Sequence, residues 1–192
     1  MEQETMRGYA AVVLDAGLGI GPGSMLRIMG EFPQRELMYV IAQEAYDRGA
    51  KFVRIEYDDM RLARIRADRS RDEYIDQLSA LTEKDSQVYV EEGWSFLRLD
   101  GYESASAMEG VDHGRLTRIQ RARGPAVRVL REAQMASRLP WCVVPAPTEA
   151  WAKTVFGEAG TAERLWRSLV PILRLDAPDP AAALSAHMRA LE

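Results

Sequence analysis

The sequence predicts an α/β fold with a mainly parallel sheet of about four or more strands and helices on both faces. Short apolar runs alternate with longer segments of helical periodicity along the chain. Those runs read as continuous apolar stretches and not as strict apolar–polar alternation, which is typical of strands buried on both faces. The length of 192 residues suits a single domain, and we expect one α/β domain over residues 1–192.

The first part of the chain predicts two helices and two strands. Met6, Tyr9 and Val13 recur at helical spacing, and Gly17 is expected to end that helix. Valine, isoleucine and tyrosine favour extended structure in the second strand, and the acidic pair that follows it can cap a helix beginning near Met60. The predicted elements are a helix at 3–16, a strand at 24–30, a helix at 35–50 and a strand at 51–59.

The later part continues the alternation. Asp112 is expected to cap a helix in which Gly124 and Pro125 predict a break, with Pro125 in the first turn of a new helix. Trp141–Val144 predicts a buried strand, and Thr148 is expected to cap the helix after it. The remaining elements are two or three short helices at 60–93, a strand at 95–101, and helices near 161–174 and 180–191.

Composition and charge narrow the class of protein. The formal net charge of −4 gives no global reason to bind nucleic acid, and the arginine clusters at 61–71 and 115–123 are predicted to form ion-paired helix faces. No apolar run approaches the roughly 20 residues of a membrane span. Cys142 is the single cysteine, so no internal disulfide can form, and we expect a cytoplasmic protein without nucleic-acid or membrane partners.

Four segments follow the predicted strands and therefore meet at one edge of the sheet. Ligands of parallel sheets tend to bind beyond the carboxyl ends of the strands. The segments at the carboxyl ends are Gly30–Pro33, Asp58–Asp59, Gly101–Glu103 and Pro145–Thr148.

The glycine-rich segment at 17–23 follows a helix and precedes a strand, so a turn is favoured over a phosphate loop.

The sequence contains no motif that specifies a reaction. Cys142 lies in an apolar strand and is expected to be inert, while His113 and His187 are too isolated to form a zinc site or a nucleophile–base pair. The carboxylate pairs 58–59 and 91–92 are better explained by capping and surface charge. The four tryptophans, Trp94, Trp141, Trp151 and Trp166, are expected to anchor the core or a domain interface. We therefore assign no catalytic, metal-binding or cofactor-binding residue.

Taken in order, several longer segments resemble a known family. These include YAAVVLDAGLGIGPGSMLRIMG, AQEAYDRGAKFVRIEYDD, VDHGRLTRIQRARGPAVRVLREAQM, LPWCVVPAPTEAWAKTVFG and AERLWRSLVPILRLDAPDPAAALSAHMRAL. Together they resemble the N-terminal domain of the metal-dependent aminopeptidases of the aminopeptidase T, aminopeptidase S and PepS type. The resemblance covers almost the whole chain, and its most specific part is the pattern W-x-V-x-P-x-P-T-x-x-W-A.

The resemblance implies a non-catalytic domain whose catalytic partner lies in a second, C-terminal domain. In that family the two divalent metal ions, zinc, cobalt or manganese, are bound by residues of the second domain, so this chain alone is expected to be inactive and free of cofactors. The resemblance also implies subunit packing in a homodimer, with peptide substrate bound only by the full-length enzyme. A naturally short interaction or ligand-binding module with the same fold, and a nucleotide-binding doubly wound domain, are the alternatives.

Overall fold

The computed structural model describes residues 3–190 of the chain. In chain order its elements are helix α1 (Gln3–Ala11), a π-helical turn (Val12–Gly17), β1 (Met25–Gly30), a 3₁₀ turn (Phe32–Gln34), α2 (Arg35–Asp47), β2 (Phe52–Tyr57), α3 (Met60–Arg69), α4 (Ala80–Glu91), β3 (Ser95–Asp100), α5 (His113–Ala126), α6 (Arg128–Met135), β4 (Trp141–Pro145), α7 (Glu149–Phe156), α8 (Ala162–Ile172) and α9 (Pro180–Arg189).

The four strands form one parallel sheet in the order β2-β1-β3-β4. Its central strands carry the most deeply buried side chains, among them Leu26, Ile28, Leu97 and Leu99. The predicted α/β class is therefore confirmed, with an all-parallel sheet and helices around it. The parallel order requires each connection to cross back along the sheet, and helices supply those crossovers.

The described residues cluster into two compact units. The first contains the sheet and comprises the described residues up to Asp58, the segment Ser95–Ala105 and the described residues from Pro140 onward. The second comprises Asp59–Trp94 and Ser106–Leu139 and is helical. The expectation of a single domain stays a prediction.

In the first unit, the core lies between the sheet and the helices that precede β1 and β2. Tyr9 and Leu14 of the opening helix are buried together with Met38 and Ile41 of α2. The ring of Trp166 meets Tyr9 edge to face, with centroids 5.3 Å apart. The helical spacing of the opening segment thus predicts its buried face correctly, although the segment continues after Ala11 as a π-helical turn.

In the second unit, α4 packs against α6, and α5 contacts both α3 and α4. Asp59 caps α3 by accepting hydrogen bonds from the N–H groups of Arg61 and Leu62, and Asp112 caps α5 in the same way. Both predicted caps are confirmed. Trp94 is buried against Tyr89, with ring centroids 5.4 Å apart.

Two predictions about single elements are wrong. Pro125 lies in the last turn of α5, and the break falls at Val127, so Pro125 does not begin the new helix. Proline lacks the N–H that would bond to the preceding turn and its ring crowds the carbonyl there, which agrees with α5 ending close after it. The strand β4 is an edge strand and not a buried one, so that Trp141 is 48% exposed and Val143 is 51% exposed. Trp141 is consequently no core anchor, and its expected role at a domain interface stays a prediction.

Candidate functional site

The carboxyl edge of the sheet brings three of the four predicted segments together around one buried side chain, Gln34. Its amide oxygen accepts a hydrogen bond from the N–H of Glu31 at 2.9 Å. Its amide nitrogen donates to the carbonyl oxygens of Ala146 at 2.9 Å and Gly101 at 3.3 Å. These hydrogen bonds join the segment after β1 to the segments after β3 and β4. The side chain that makes them is only 4% exposed.

Two glycines make this close approach of three chain segments feasible. A Cβ atom at Gly30 would overlap the Gln34 amide oxygen and the methyl group of Met38. A Cβ atom at Gly101 would overlap the carbonyl oxygen of Ala146 and lie 2.7 Å from the Gln34 amide nitrogen. Any residue larger than glycine at either position would therefore force these three chain segments apart.

Charged groups line the same edge. The carboxylate of Glu31 accepts a hydrogen bond from the N–H of Glu103, and Arg98 forms an ion pair with Asp58 at 3.2 Å. The N–H of Asp58 donates to the carbonyl oxygen of Gly30 at 2.8 Å, which brings the end of β2 beside the end of β1. Burial is the main reason that the pKa of Glu31 is raised, and the negative charges of Asp58 and Glu103 raise it further.

The junction after β4 is closed by hydrogen bonds from two hydroxyl groups. Thr148 accepts a hydrogen bond from the N–H of Trp151 at 3.2 Å, which caps α7 as predicted, and its hydroxyl donates to the carbonyl oxygen of Tyr102. The hydroxyl of Tyr9 donates to the carbonyl oxygen of Pro145 at 2.7 Å. Burial raises the pKa of Tyr9 well above its usual range, so the phenol stays protonated and keeps donating.

Within residues 3–190, the side chains that could support nucleophilic catalysis are not assembled into a site. Cys142 is half-buried on β4, and burial raises the pKa of its thiol, which disfavours the reactive thiolate. His113 is the exposed first residue of α5, and His187 is exposed on α9. Both histidines are therefore solvated. The spacing of the sequence places Leu191 in one helical stripe with His187, but Leu191 lies outside the described residues.

The arginine clusters form ion pairs and carbonyl contacts within the second unit. Arg118 holds Asp76 in a bidentate pair with a shortest distance of 2.6 Å, and this pair lowers the pKa of Asp76. Arg115 donates to the carbonyl oxygen of Ala67 at 2.6 Å and also contacts Asp72. The predicted ion-paired faces are therefore present, and these two guanidinium groups are not displayed for phosphate binding.

The donor atoms of the carboxyl edge do not form a metal centre. Among residues 3–190, no group of three or more histidine, cysteine, aspartate or glutamate side chains is placed to hold a metal ion. The residues of the edge instead bind backbone groups of neighbouring loops. Sequence reasoning located these loops but missed Gln34 and Arg98, because an isolated glutamine or arginine carries no periodic signal of what it will contact.

The fold and this edge define a parallel α/β domain whose polar side chains hold the strand-end loops in place. A family model described as thermophilic metalloprotease (M29) matches residues 2–192. The chain belongs to this family. No helix among the described residues has both the length and the apolar character of a bilayer span.

Relatives with assigned names support this membership. The chain is 30% identical over 182 residues to aminopeptidase 2 of Geobacillus stearothermophilus, covering 93% of this chain and 44% of that protein. It is 28% identical over 191 residues to aminopeptidase T of Thermus aquaticus, covering 98% and 47%. The solved structure of wild-type AmpT from Thermus thermophilus matches with a TM-score of 0.85 and 25% identity, covering 98% of this chain and 46% of that chain. The chain thus spans about half the length of the curated relatives it matches.

Proposed function

We propose that this chain is the N-terminal, non-catalytic domain of a metal-dependent aminopeptidase that releases N-terminal amino acids from peptides. One observation carries the proposal: residues 2–192 match the metalloprotease family, while relatives named as aminopeptidases are covered only to 44–47% of their length. The catalytic and metal-binding residues would then lie in a further domain, which is the partner of this chain. The role of the present chain would be to support that catalytic domain and to contribute to subunit packing.

The chemistry of the described residues agrees with an accessory role. The metals of a full-length enzyme, which we take to be two divalent ions of zinc, cobalt or manganese, would polarise the peptide carbonyl and activate water. The carboxylates and histidines described in this chain do not fit such a centre, because no three of them converge on one point. We therefore derive no catalytic step from this chain. The single cysteine supports our further proposal that the protein works in the cytoplasm.

The test is a peptidase assay on the purified 192-residue chain with zinc, cobalt or manganese added. Circular dichroism first establishes that the sample is folded, and aminopeptidase T of Thermus thermophilus serves as the positive control on the same peptides. We expect no release of amino acids and no stoichiometric metal by elemental analysis. Turnover that a chelator abolishes would overturn the proposal.

The alternative is a naturally short binding or interaction module with the same fold and no peptidase activity. The observation that favours it is the carboxyl edge, where the side chain of Gln34 ties the strand-end loops to one another by hydrogen bonds within this chain. The reading frame of the gene separates the two cases. Continuation into a segment rich in histidine and glutamate supports the accessory domain, and a stop codon directly after Glu192 supports the module.

A further inference from the structure

A pocket opens on the exposed side of α3, within the second, helical unit. Its volume is about 330 Å³, which lies in the range typical of ligand sites. All of its lining residues belong to this unit, and they combine three arginines and one carboxylate with two apolar side chains. The residues of this α3 pocket are Arg61, Arg64, Ile65, Asp68, Arg69 and Ala107.

Arg64 builds the wall of the α3 pocket. Its guanidinium donates to the carbonyl oxygens of Ala107 at 3.2 Å and Glu109 at 2.5 Å, which holds the loop before α5 against α3. It also forms an ion pair with Asp68 at 3.1 Å. The single carboxylate of the pocket is therefore compensated by the wall, and two further guanidinium groups supply the excess positive charge.

Arg69 supplies hydrogen-bond donors that the protein does not use. Within residues 3–190 its guanidinium makes no hydrogen bond or ion pair, although such a group can bind a carboxylate through two parallel N–H donors. Arg61, Ile65 and Arg69 are spaced four residues apart along one side of α3. At 1.5 Å per residue the two arginines are about 12 Å apart along the helix, with the isoleucine midway. Because Ile65 is 56% exposed, an apolar surface lies between two cations.

We infer that the α3 pocket binds an extended acidic peptide segment in which two carboxylate side chains flank an apolar one. The choice of a peptide rests on the aminopeptidase function proposed above, and peptides with this pattern would be a preferred substrate class. In an extended chain, alternate side chains point to the same side and four residues span about 13 Å. Acidic residues at the first and fifth positions then reach Arg61 and Arg69, and an apolar third residue covers Ile65.

Other occupants fit the α3 pocket less well. One turn of an α-helix, about 10 Å across and 5.4 Å long, fills about 420 Å³, which is more than the pocket holds. A neutral apolar segment would leave the guanidinium of Arg69 without a counter-charge. A single nucleic-acid strand would need aromatic rings on which to stack its bases, and the lining residues include none. The pattern of charge and apolar surface therefore favours an acidic extended peptide.

A nuclear magnetic resonance titration of the 192-residue chain with the blocked peptide acetyl-DALAD-amide tests the inference. We expect a dissociation constant below about 1 mM in about 20 mM salt, with amide shifts concentrated at Ile65–Arg69 and Ala107. The neutral peptide acetyl-NALAN-amide should not bind, and acetyl-DAGAD-amide should bind about threefold more weakly because it lacks the apolar contact. The acetyl group blocks N-terminal cleavage, so the titration measures binding alone.

Variants of the chain assign that binding to the α3 pocket. Arg69→Ala should raise the dissociation constant about tenfold, and Ile65→Ser should raise it about threefold without a change of charge. Arg131→Ala removes the same charge from an exposed position of α6 outside the pocket and should leave the dissociation constant unchanged. The substituted side chains are exposed, so we expect each variant to fold, and circular dichroism checks this.

Three results would each overturn the inference: no shifts in the wild-type chain at about 5 mM acetyl-DALAD-amide, equal affinity for the charged and neutral peptides, or equal losses in Arg69→Ala and Arg131→Ala. Equal losses would mean that the peptide responds only to the overall charge of the chain. Failure of this titration does not alter the peptidase assay on the same chain. Conversely, chelator-sensitive turnover would overturn the accessory role and leave the binding result intact, so the two failures are distinguishable.

Discussion

At the scale of single residues, Gln34 has the largest structural role at the carboxyl edge. It is almost fully buried, and both ends of its amide are hydrogen-bonded to backbone groups of the loops after β1, β3 and β4. Removing one partner of a buried hydrogen bond leaves the other unsatisfied, which costs about 1–3 kcal/mol for each group. The side chain of one glutamine therefore determines whether three loops can meet.

Replacing Gln34 with alanine should lower the free energy of unfolding by about 2–4 kcal/mol, because it leaves the N–H of Glu31 and the carbonyl of Ala146 without their partner. Urea denaturation followed by circular dichroism measures the change. Gln43→Ala, on the exposed face of α2, is the matched control and should change stability by about 0.5 kcal/mol or less. Equal effects of the two substitutions would show that the hydrogen bonds of Gln34 add no stability.

The raised pKa of Glu31 predicts how the stability of the folded chain changes with pH. Its pKa is raised in the folded chain, chiefly by burial, so the folded chain holds the proton more tightly than the unfolded chain. The resulting stabilisation is fully present below the unfolded pKa of about 4.3 and is lost as the pH rises through the folded pKa. Glu31→Gln should therefore gain stability relative to wild type as the pH rises from about 4 to 7.

Urea denaturation of wild type and Glu31→Gln at a series of pH values tests that sign. The amide oxygen of glutamine can still accept from the N–H of Glu103, so the comparison isolates the ionisable group. Glu36→Gln, on an exposed side chain of α2, controls for the general loss of a negative charge. The prediction is contradicted if Glu31→Gln instead loses stability relative to wild type as the pH rises. Attraction between the Glu31 carboxylate and Arg98 would then outweigh the cost of burying that carboxylate.

At the scale of elements, the strands and caps were predictable and the sheet edges were not. Residues bounding each strand, such as Gly30 and Asp58, carry local signals, and the caps at Asp112 and Thr148 follow from side-chain chemistry. The order of strands in the sheet depends on long-range crossovers, which no local pattern encodes. The apolar pattern of Trp141 and its neighbours therefore predicts a buried strand, although β4 lies at an edge of the sheet.

The two threonine caps give a prediction about helix ends. Thr148→Val should destabilise the chain more than Thr161→Val, by about 1 kcal/mol. Both substitutions remove a cap, but the hydroxyl of Thr148 also donates to the carbonyl oxygen of Tyr102 and is buried, whereas Thr161 is exposed and only caps α8. Thermal or urea unfolding of both variants measures the difference. Equal losses would mean that the contact to Tyr102 is replaced by water.

At the scale of the whole molecule, the compact units suggest that stability is not uniform along the chain. The sheet unit has one large apolar core centred on Leu26, Ile28 and Leu97. In the helical unit, Arg115 connects α5 to α3 through the carbonyl oxygen of Ala67, and to the segment after α3 through the carbonyl oxygen of Ser70 and the carboxylate of Asp72. The helical unit buries fewer apolar side chains, among them Ile75 and Tyr89. Regions with few buried apolar contacts tend to open at lower free energy than large apolar cores.

Arg115→Lys should therefore accelerate amide hydrogen exchange in the helical unit by about 10–100-fold, because an ammonium group cannot keep the several directed hydrogen bonds of a guanidinium. Exchange in the strands of the sheet unit should change less. Hydrogen–deuterium exchange resolved along the chain measures both units in one experiment, and Arg121→Lys on an exposed position of α5 is the matched control. Equal acceleration in both units would contradict separate opening and would support the expectation of one cooperative domain, since local opening and global unfolding would then be the same event.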